Sequence, residues 1–233
     1  MRGLPPAAVL MDIEGTTTPP GFVRGVLLPY AALHLVSWVT EHAHDGDVAA
    51  ALAQVREAVP GQSEAATLTH WMQQDIPAPP LQRLQGLLWA HAFSEGELGD
   101  PVYADVAPAL RRWSAGGLRL FAYSAANAVI QRLLFAHAPD GNLAALFNGF
   151  FDTRVGRKRE PNSYVRLAIA MAVPTTEVLF LSAVEMELDA AAVAGMRTCQ
   201  LLRPDGGGVP SERHPVAGDF PALAGAMGLP AAA

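Results

Sequence analysis

The sequence predicts an α/β fold, a doubly wound parallel sheet interrupted by an all-helical insertion. Five short apolar runs carry that expectation, because their hydrophobicity is continuous rather than alternating, as in strands covered on both faces. The later runs are separated by stretches of helical period, and strand, helix, strand in succession implies parallel pairing through crossovers. The interval between the first and second runs holds helical patterns and no strand.

The first run is Ala7 to Met11. After it, helical segments are expected near Leu27 to Glu41, Val48 to Ala58, Ala65 to Gln74 and Leu81 to Phe93, punctuated by Pro60-Gly61 and by Pro77-Ala78-Pro79-Pro80. These define an insertion over 21–105, leaving 1–20 and 106–233 as a Rossmann-like core. In an open α/β sheet, ligands sit at the carboxyl end of the strands, where such an insertion can act as a cap. The remaining runs are Leu118 to Tyr123, Phe147 to Phe151, Val178 to Leu181 and Thr198 to Leu202. Between them Val129, Ile130, Leu133 and Leu134 recur at helical spacing, as do Tyr164, Leu167, Ala168 and Met171, and a helix over Glu187 to Ala194 stops at Gly195. Asp205 to Gly208 reads as a mobile loop and the small-residue end Ala231 to Ala233 as a frayed terminus.

Composition narrows the function classes. With 51% apolar and 16% charged residues in 233 positions, the chain can bury a core. A net charge of -6 repels a phosphate backbone, so nucleic acid is not an expected partner. The lone Cys199 has no internal disulfide partner and reads as a buried strand thiol suited to a reducing compartment. No apolar run is expected to reach the roughly 18 residues that span a bilayer, and no signal-like start is visible. The expectation is a cytoplasmic protein without a membrane partner.

Four strand ends carry chemistry. The first closes on Asp12-Ile13-Glu14-Gly15-Thr16-Thr17-Thr18, whose acids at i and i+2 project the same way and whose glycine lets backbone N–H groups approach an anion. The second closes on Tyr123-Ser124-Ala125-Ala126-Asn127, where the Ser124 hydroxyl can meet a phosphoryl oxygen or cap the next helix. After the third come Arg154, Arg157, Lys158 and Arg159, four cations in six residues, which supply a local positive field or a solvated charged face. After the fourth, Glu185, Glu187 and Asp189 can hold a cation or oppose a helix dipole. The histidines His34, His42, His44, His70 and His91 fall in the helical interval without ligand spacing, and Trp38, Trp71, Trp89 and Trp113 read as packing residues.

Acid, hydroxyl, lysine and acid in that order resemble the four motifs of the haloacid dehalogenase superfamily. The wording is similar to its enolase-phosphatase branch in Asp12 to Thr17, in Lys158-Arg159-Glu160 with Ser163-Tyr164, in Leu179 to Ser182 and in Glu187 to Ala191. The insertion matches as well, in Leu84-Gln85-Gly86-Leu87-Leu88-Trp89 and Gly96-Glu97-Leu98. The resemblance implies a haloacid-dehalogenase-like fold with a helical cap and an enzyme that binds one Mg2+ per chain; a monomer is expected, though the sequence does not fix the oligomeric state. Its small phosphorylated substrate, 2,3-dioxo-5-methylthiopentyl phosphate, is enolised and then dephosphorylated. Carried over residue by residue, it makes Asp12 the nucleophile and Glu14 the general acid and base, with Thr16, Ser124, Ala125 and Lys158 on the phosphate. The metal set is Asp12, Glu14 and Glu187.

The sequence departs from that pattern at Ala183, where the resemblance calls for a metal-binding aspartate, with Glu185 or Glu187 as possible substitutes. Ser124-Ala125-Ala126-Asn127 stands for Ser-Ser-Gly-Ser, Gly21 for a serine, and Trp89-Ala90-His91-Ala92-Phe93 for Trp-Glu-Glu-Gly-Tyr. Two further readings follow from these changes: a homologue that binds a phosphorylated metabolite or a protein without turnover, and a metal-independent, dehalogenase-like hydrolase.

Overall fold

The computed structural model describes residues 5–138 and 141–230, so the expected fraying of Ala231 to Ala233 lies outside the described residues. The chain forms two compact units. One takes in the chain up to Phe22 and from Asp100 onward, and the other is Val23–Gly99.

The first unit is built on a sheet of β1 (Ala8–Met11), β2 (Arg119–Ser124), β3 (Phe147–Asp152), β4 (Val178–Ser182), β5 (Arg197–Leu201) and β6 (Val216–Ala217). Their order is β3-β2-β1-β4-β5-β6, and every pairing is parallel. β1 is central, with Met11 in register with Ala122 on one side and Leu181 on the other. Its four residues are fully buried, which is why it reads as an unbroken apolar run. Helices α5 (Val106–Ala115), α6 (Ala128–Ala136), α7 (Pro161–Met171), α8 (Glu185–Val193) and α9 (Phe220–Met227) complete the unit. One face of the sheet packs Leu10, Tyr123 and Phe180 against Tyr164, Leu167 and Met171 of α7 and Leu188 of α8. Pro161 opens α7 where a missing N–H costs nothing, and Asn127 caps α6 by accepting the Ile130 N–H. Cys199 is buried in β5, and burial pushes its thiol up to about 12.

The second unit contains α1 (Leu28–Glu41), α2 (Gly46–Ala58), α3 (Glu64–Gln73) and α4 (Pro79–Ser94), and no strand among its described residues. Trp89 is fully buried there and donates from Nε1 to the Leu27 carbonyl at 2.9 Å.

The structure differs from the sequence expectations in four places. Residues 100–105 belong to the sheet unit rather than to the insertion, because the Tyr103 N–H donates to the Thr17 carbonyl at 3.0 Å and Asp105 pairs with Arg203. β6, α5 and α9 are additional elements. α6 buries Gln131, Leu134 and Phe135 and leaves Val129 exposed. Finally, the helical run Val23–Glu41, with 19 residues and a hydropathy of 1.2, is long and apolar enough to cross a membrane by length and composition. Arg24, Ser37 and Thr40 interrupt it, so counting consecutive apolar residues misses what a window average registers. Its α1 portion buries Ala31, Leu35 and Val39, one per turn, in a single stripe.

Candidate active site

The loop after β1 is a tight knot. The Ile13 carbonyl accepts three N–H groups, from Thr16 at 3.1 Å, Thr17 at 2.8 Å and Thr18 at 3.0 Å. Gly15 turns the chain with φ 79°, and a Cβ added to it would meet the Cβ of Ala183 at 3.3 Å. Asp12 stands at the mouth of this knot, buried, with Oδ1 accepting the Ile13 N–H at 2.8 Å. Glu14 is half-buried beside it. Thr16 is fully buried and its hydroxyl has no hydrogen-bond partner among the described residues.

Lys158 reaches this carboxylate from the loop after β3. Its Nζ lies 2.6 Å from Asp12 Oδ1 and 2.8 Å from Glu187 Oε2. The lysine is anchored by its backbone, since Tyr164 donates its hydroxyl to the Lys158 carbonyl at 2.6 Å, and Tyr123 donates to the Gly156 carbonyl at 2.7 Å. Gly156 has no substitute, because a Cβ there would stand 2.1 Å from Ser163 Oγ. Burial opposes the ammonium charge, but the Asp12 and Glu187 carboxylates outweigh it and hold Lys158 above its ordinary value. Glu187 is raised by its own burial and by the charge of Asp12, with Lys158 and Ser182 opposing. Two carboxylates thus share one ammonium.

The other expected residues fall into two groups. Ser124 is buried at the end of β2, the strand next to β1, with its Oγ accepting the Ala126 N–H at 3.2 Å; Ala125 is the exposed tip of that turn. Glu185 is committed elsewhere, to the Ser211 hydroxyl at 2.5 Å and to Arg213 at 2.9 Å. The basic run is partly neutralised as well. Arg154 grips Asp152 through Nε and Nη2, holding that carboxyl below the usual range, and Arg157 lies 4.0 Å from Glu160. Among the described residues no group of three or more His, Cys, Asp or Glu side chains is gathered to hold a metal. In the helical unit, His42 and His91 contact each other and Trp38 as ring neighbours.

Three contributors escaped the sequence reading. Ser182 ends β4 and donates to Glu187 Oε2 at 2.9 Å, with Asp12 Oδ2 at a longer 3.4 Å. Gln131, fully buried, donates to the Ala126 and Phe151 carbonyls at 2.7 Å and so ties the Ser124 turn to β3. Arg203 holds the Thr16 carbonyl. A hydroxyl ending an apolar run was the available signal for Ser182; nothing local marks the other two.

Comparison with known proteins gives a consistent picture. The protein named Enolase-phosphatase E1 from Granulibacter bethesdensis is 47% identical over 227 residues, spanning 97% of this chain and 98% of its own. One of the same name from Pseudomonas aeruginosa is 47% identical over 219 residues, spanning 91% of this chain and 96% of its own. No family model matches. Among solved structures, the UTR4 protein of Saccharomyces cerevisiae superposes with a TM-score of 0.79 at 32% identity, covering 92% of this chain and 98% of that one. CbbY of Rhodobacter sphaeroides, solved in complex with phosphate, shares the fold, with a TM-score of 0.58 at 15% identity.

Proposed function

Because the chain belongs to the enolase-phosphatase E1 family, we propose that it converts 2,3-dioxo-5-methylthiopentyl phosphate to the acireductone and phosphate in methionine salvage. The observation that carries this reading is the Lys158 ammonium seated between Asp12 and Glu187. An anionic nucleophile facing an anionic ester needs a cation at that place, and a buried ammonium reduces the repulsion between them.

Once the substrate has been enolised, its dephosphorylation proceeds in two displacements. The Ile13 N–H and Lys158 both hold Oδ1 of Asp12, whereas Oδ2 has the longer Ser182 contact at 3.4 Å and is the oxygen that attacks phosphorus. A bond forms from Oδ2 to phosphorus while the ester P–O bond breaks, and the leaving oxygen takes a proton from Glu14. Water then yields its proton to Glu14 and attacks the same phosphorus. The aspartyl P–O bond breaks, phosphate departs and Asp12 is restored. Ser124 contributes a hydroxyl to the phosphoryl oxygens. By the resemblance, the helical unit is the cap that excludes water.

The donor set fits a hard divalent cation, but sparsely. Asp12 and Glu187 turn carboxylate oxygens to the same point, and magnesium is commonly held by only one or two carboxylates with phosphate and water. Asp12, Glu187 and the backbone carbonyl of Glu14 would hold it, and a bound Mg2+ would neutralise charge on the phosphoryl group. Ala183 occupies the position at which the resemblance calls for an aspartate, and Glu185, bound to Ser211 and Arg213, does not substitute for it.

The test is phosphate release from the dioxo phosphate and from an aryl phosphate, with Mg2+ and with EDTA, beside the Ala183→Asp variant. Magnesium-dependent turnover is expected, with the variant binding Mg2+ about tenfold more tightly by calorimetry, as one further hard oxygen ligand implies. Silence in both proteins defeats the enzyme reading. It would favour the second one, a binder of phosphorylated metabolites, to which the methyl group of Ala183 points. EDTA-resistant turnover would favour dehalogenase-like chemistry instead.

A further inference from the structure

The reaction needs the loop Asp12 to Thr18 in one conformation, and the hydrogen bonds within that loop leave its outer carbonyls to be held from elsewhere. Arg203, just beyond β5, supplies the hold. Its Nε and Nη2 both donate to the Thr16 carbonyl, at 3.0 and 2.9 Å. Its Nη1 donates to Asp105 Oδ2 at 2.8 Å, and the same oxygen accepts the Phe220 N–H at 2.8 Å. The guanidinium lies 4.3 Å from the centroid of the Tyr103 ring and 5.3 Å from that of Phe220. Tyr103 donates its own N–H to the next carbonyl, that of Thr17, and its hydroxyl to Asp205 at 2.7 Å. Two successive carbonyls of the nucleophile loop are therefore held by one bracket made of Arg203 and Tyr103.

A buried guanidinium is an expensive way to fill space. Arg203 is 5% exposed, and desolvating a cation is unfavourable unless its charge and its donors are all used. Spending two of its five donors on a neutral carbonyl is poor use of a charge and good use of a rigid planar fork. The peptide after Thr16 is fixed at both ends, its C=O by Arg203 and its N–H by the Ile13 carbonyl at 2.8 Å. Ile13 in turn orients Asp12 through its N–H.

We infer that Arg203 is a positioning residue for the nucleophile loop, acting through the Thr16 carbonyl to fix where Asp12 and Glu14 point. This rests on the reading of Asp12 as the nucleophile, so the experiment needs a readout that survives the failure of that reading.

Arg203→Lys keeps the charge and the Asp105 partner but has no second donor fixed in the same plane. Leu143→Ala, a fully buried position outside the loop and its bracket, controls for lost stability. In Arg203→Lys, kcat per folded molecule is expected to fall at least tenfold with KM within about threefold of wild type, as for an interaction that aligns rather than binds. Amide exchange over residues 12–18 is expected to rise about tenfold in the same variant and to stay unchanged in Leu143→Ala, because it reports opening of that segment. Unchanged exchange in Arg203→Lys overturns the inference, as does a kcat within twofold of wild type when the wild type turns over. A wild type without turnover, combined with accelerated exchange, would sink the nucleophile assignment and leave the positioning role standing.

Discussion

Asp12 and Lys158 are separated by the whole length of the helical insertion in sequence, yet their charged atoms lie 2.6 Å apart. Asp12→Asn removes the proposed nucleophile while keeping the shape of the side chain. Turnover of an aryl phosphate is expected to drop by about a thousandfold or more with an unchanged circular dichroism spectrum. A loss of tenfold or less would show that another group attacks. Asp152 makes a separate, pH-dependent contribution to stability. Arg154 holds its carboxyl below the usual range, first through their hydrogen bonds, so the folded state binds this proton less readily than the unfolded chain. The sign follows: the stabilisation is present above the unfolded pKa of about 3.9 and is lost as pH falls through the lower folded value. In urea titrations, wild type and Asp152→Asn should differ by about 1 kcal/mol at pH 7, Arg154 being largely exposed, and the difference should shrink steadily as the pH is lowered through the carboxylate range. Residues at strand ends were legible in the sequence because an acid or hydroxyl following an apolar run is conspicuous. Arg203 and Gln131 were not, since their partners Thr16 and Phe151 are chosen by the tertiary fold, and no local periodicity encodes a contact between residues 16 and 203.

Elements differ in how far their own sequence specifies them. β1, β2, β4 and β5 are buried along most of their length; β1, β2 and β4 were visible as nearly continuous apolar runs, whereas Thr198 and Gln200 interrupt β5. β6 has two residues, and it pairs because the Gln200 N–H donates to the Pro215 carbonyl and the Leu202 N–H to the Ala217 carbonyl. So short a strand has no period to detect. The turn between β3 and α7 is specified differently, by absence of a side chain. Gly156 lets the backbone pass against Ser163, and Gly156→Ala would drive a methyl into the Ser163 hydroxyl. A cost of about 2 kcal/mol is expected, as for an overpacked buried site. Removing the obstructing oxygen with Ser163→Ala in the same chain should recover only part of it, because the Ser163 Cβ and Cα would still stand 2.9 and 3.3 Å from the new methyl. Because the same turn carries Lys158, the single variant should also lower kcat, and full recovery of both quantities in the double variant would show that the hydroxyl alone sets the constraint.

The whole molecule is two units on one chain, and the boundaries at Phe22/Val23 and Gly99/Asp100 indicate which parts should fold independently. The sheet unit contains β1 through β6, all of the Asp12, Lys158 and Glu187 cluster, and its own buried face between the sheet and α7 and α8. The two ends left by removing 23–99 are tied close together, since Tyr103 donates to the Thr17 carbonyl. A short Gly-Ser linker can therefore join Phe22 to Asp100 at a small loop-closure cost, which grows only logarithmically with length. Such a protein is expected to unfold in one cooperative transition and to retain the magnesium affinity of the full chain within about threefold, as its ligands are unchanged. Its activity should divide by substrate. An aryl phosphate should turn over within about tenfold of the full chain, whereas the cap role proposed for the helical unit predicts that selectivity for the dioxo phosphate falls by about a hundredfold or more. Equal losses on both substrates would mean that the helical unit shapes the nucleophile loop itself, and an unfolded product would mean that the two units share one core.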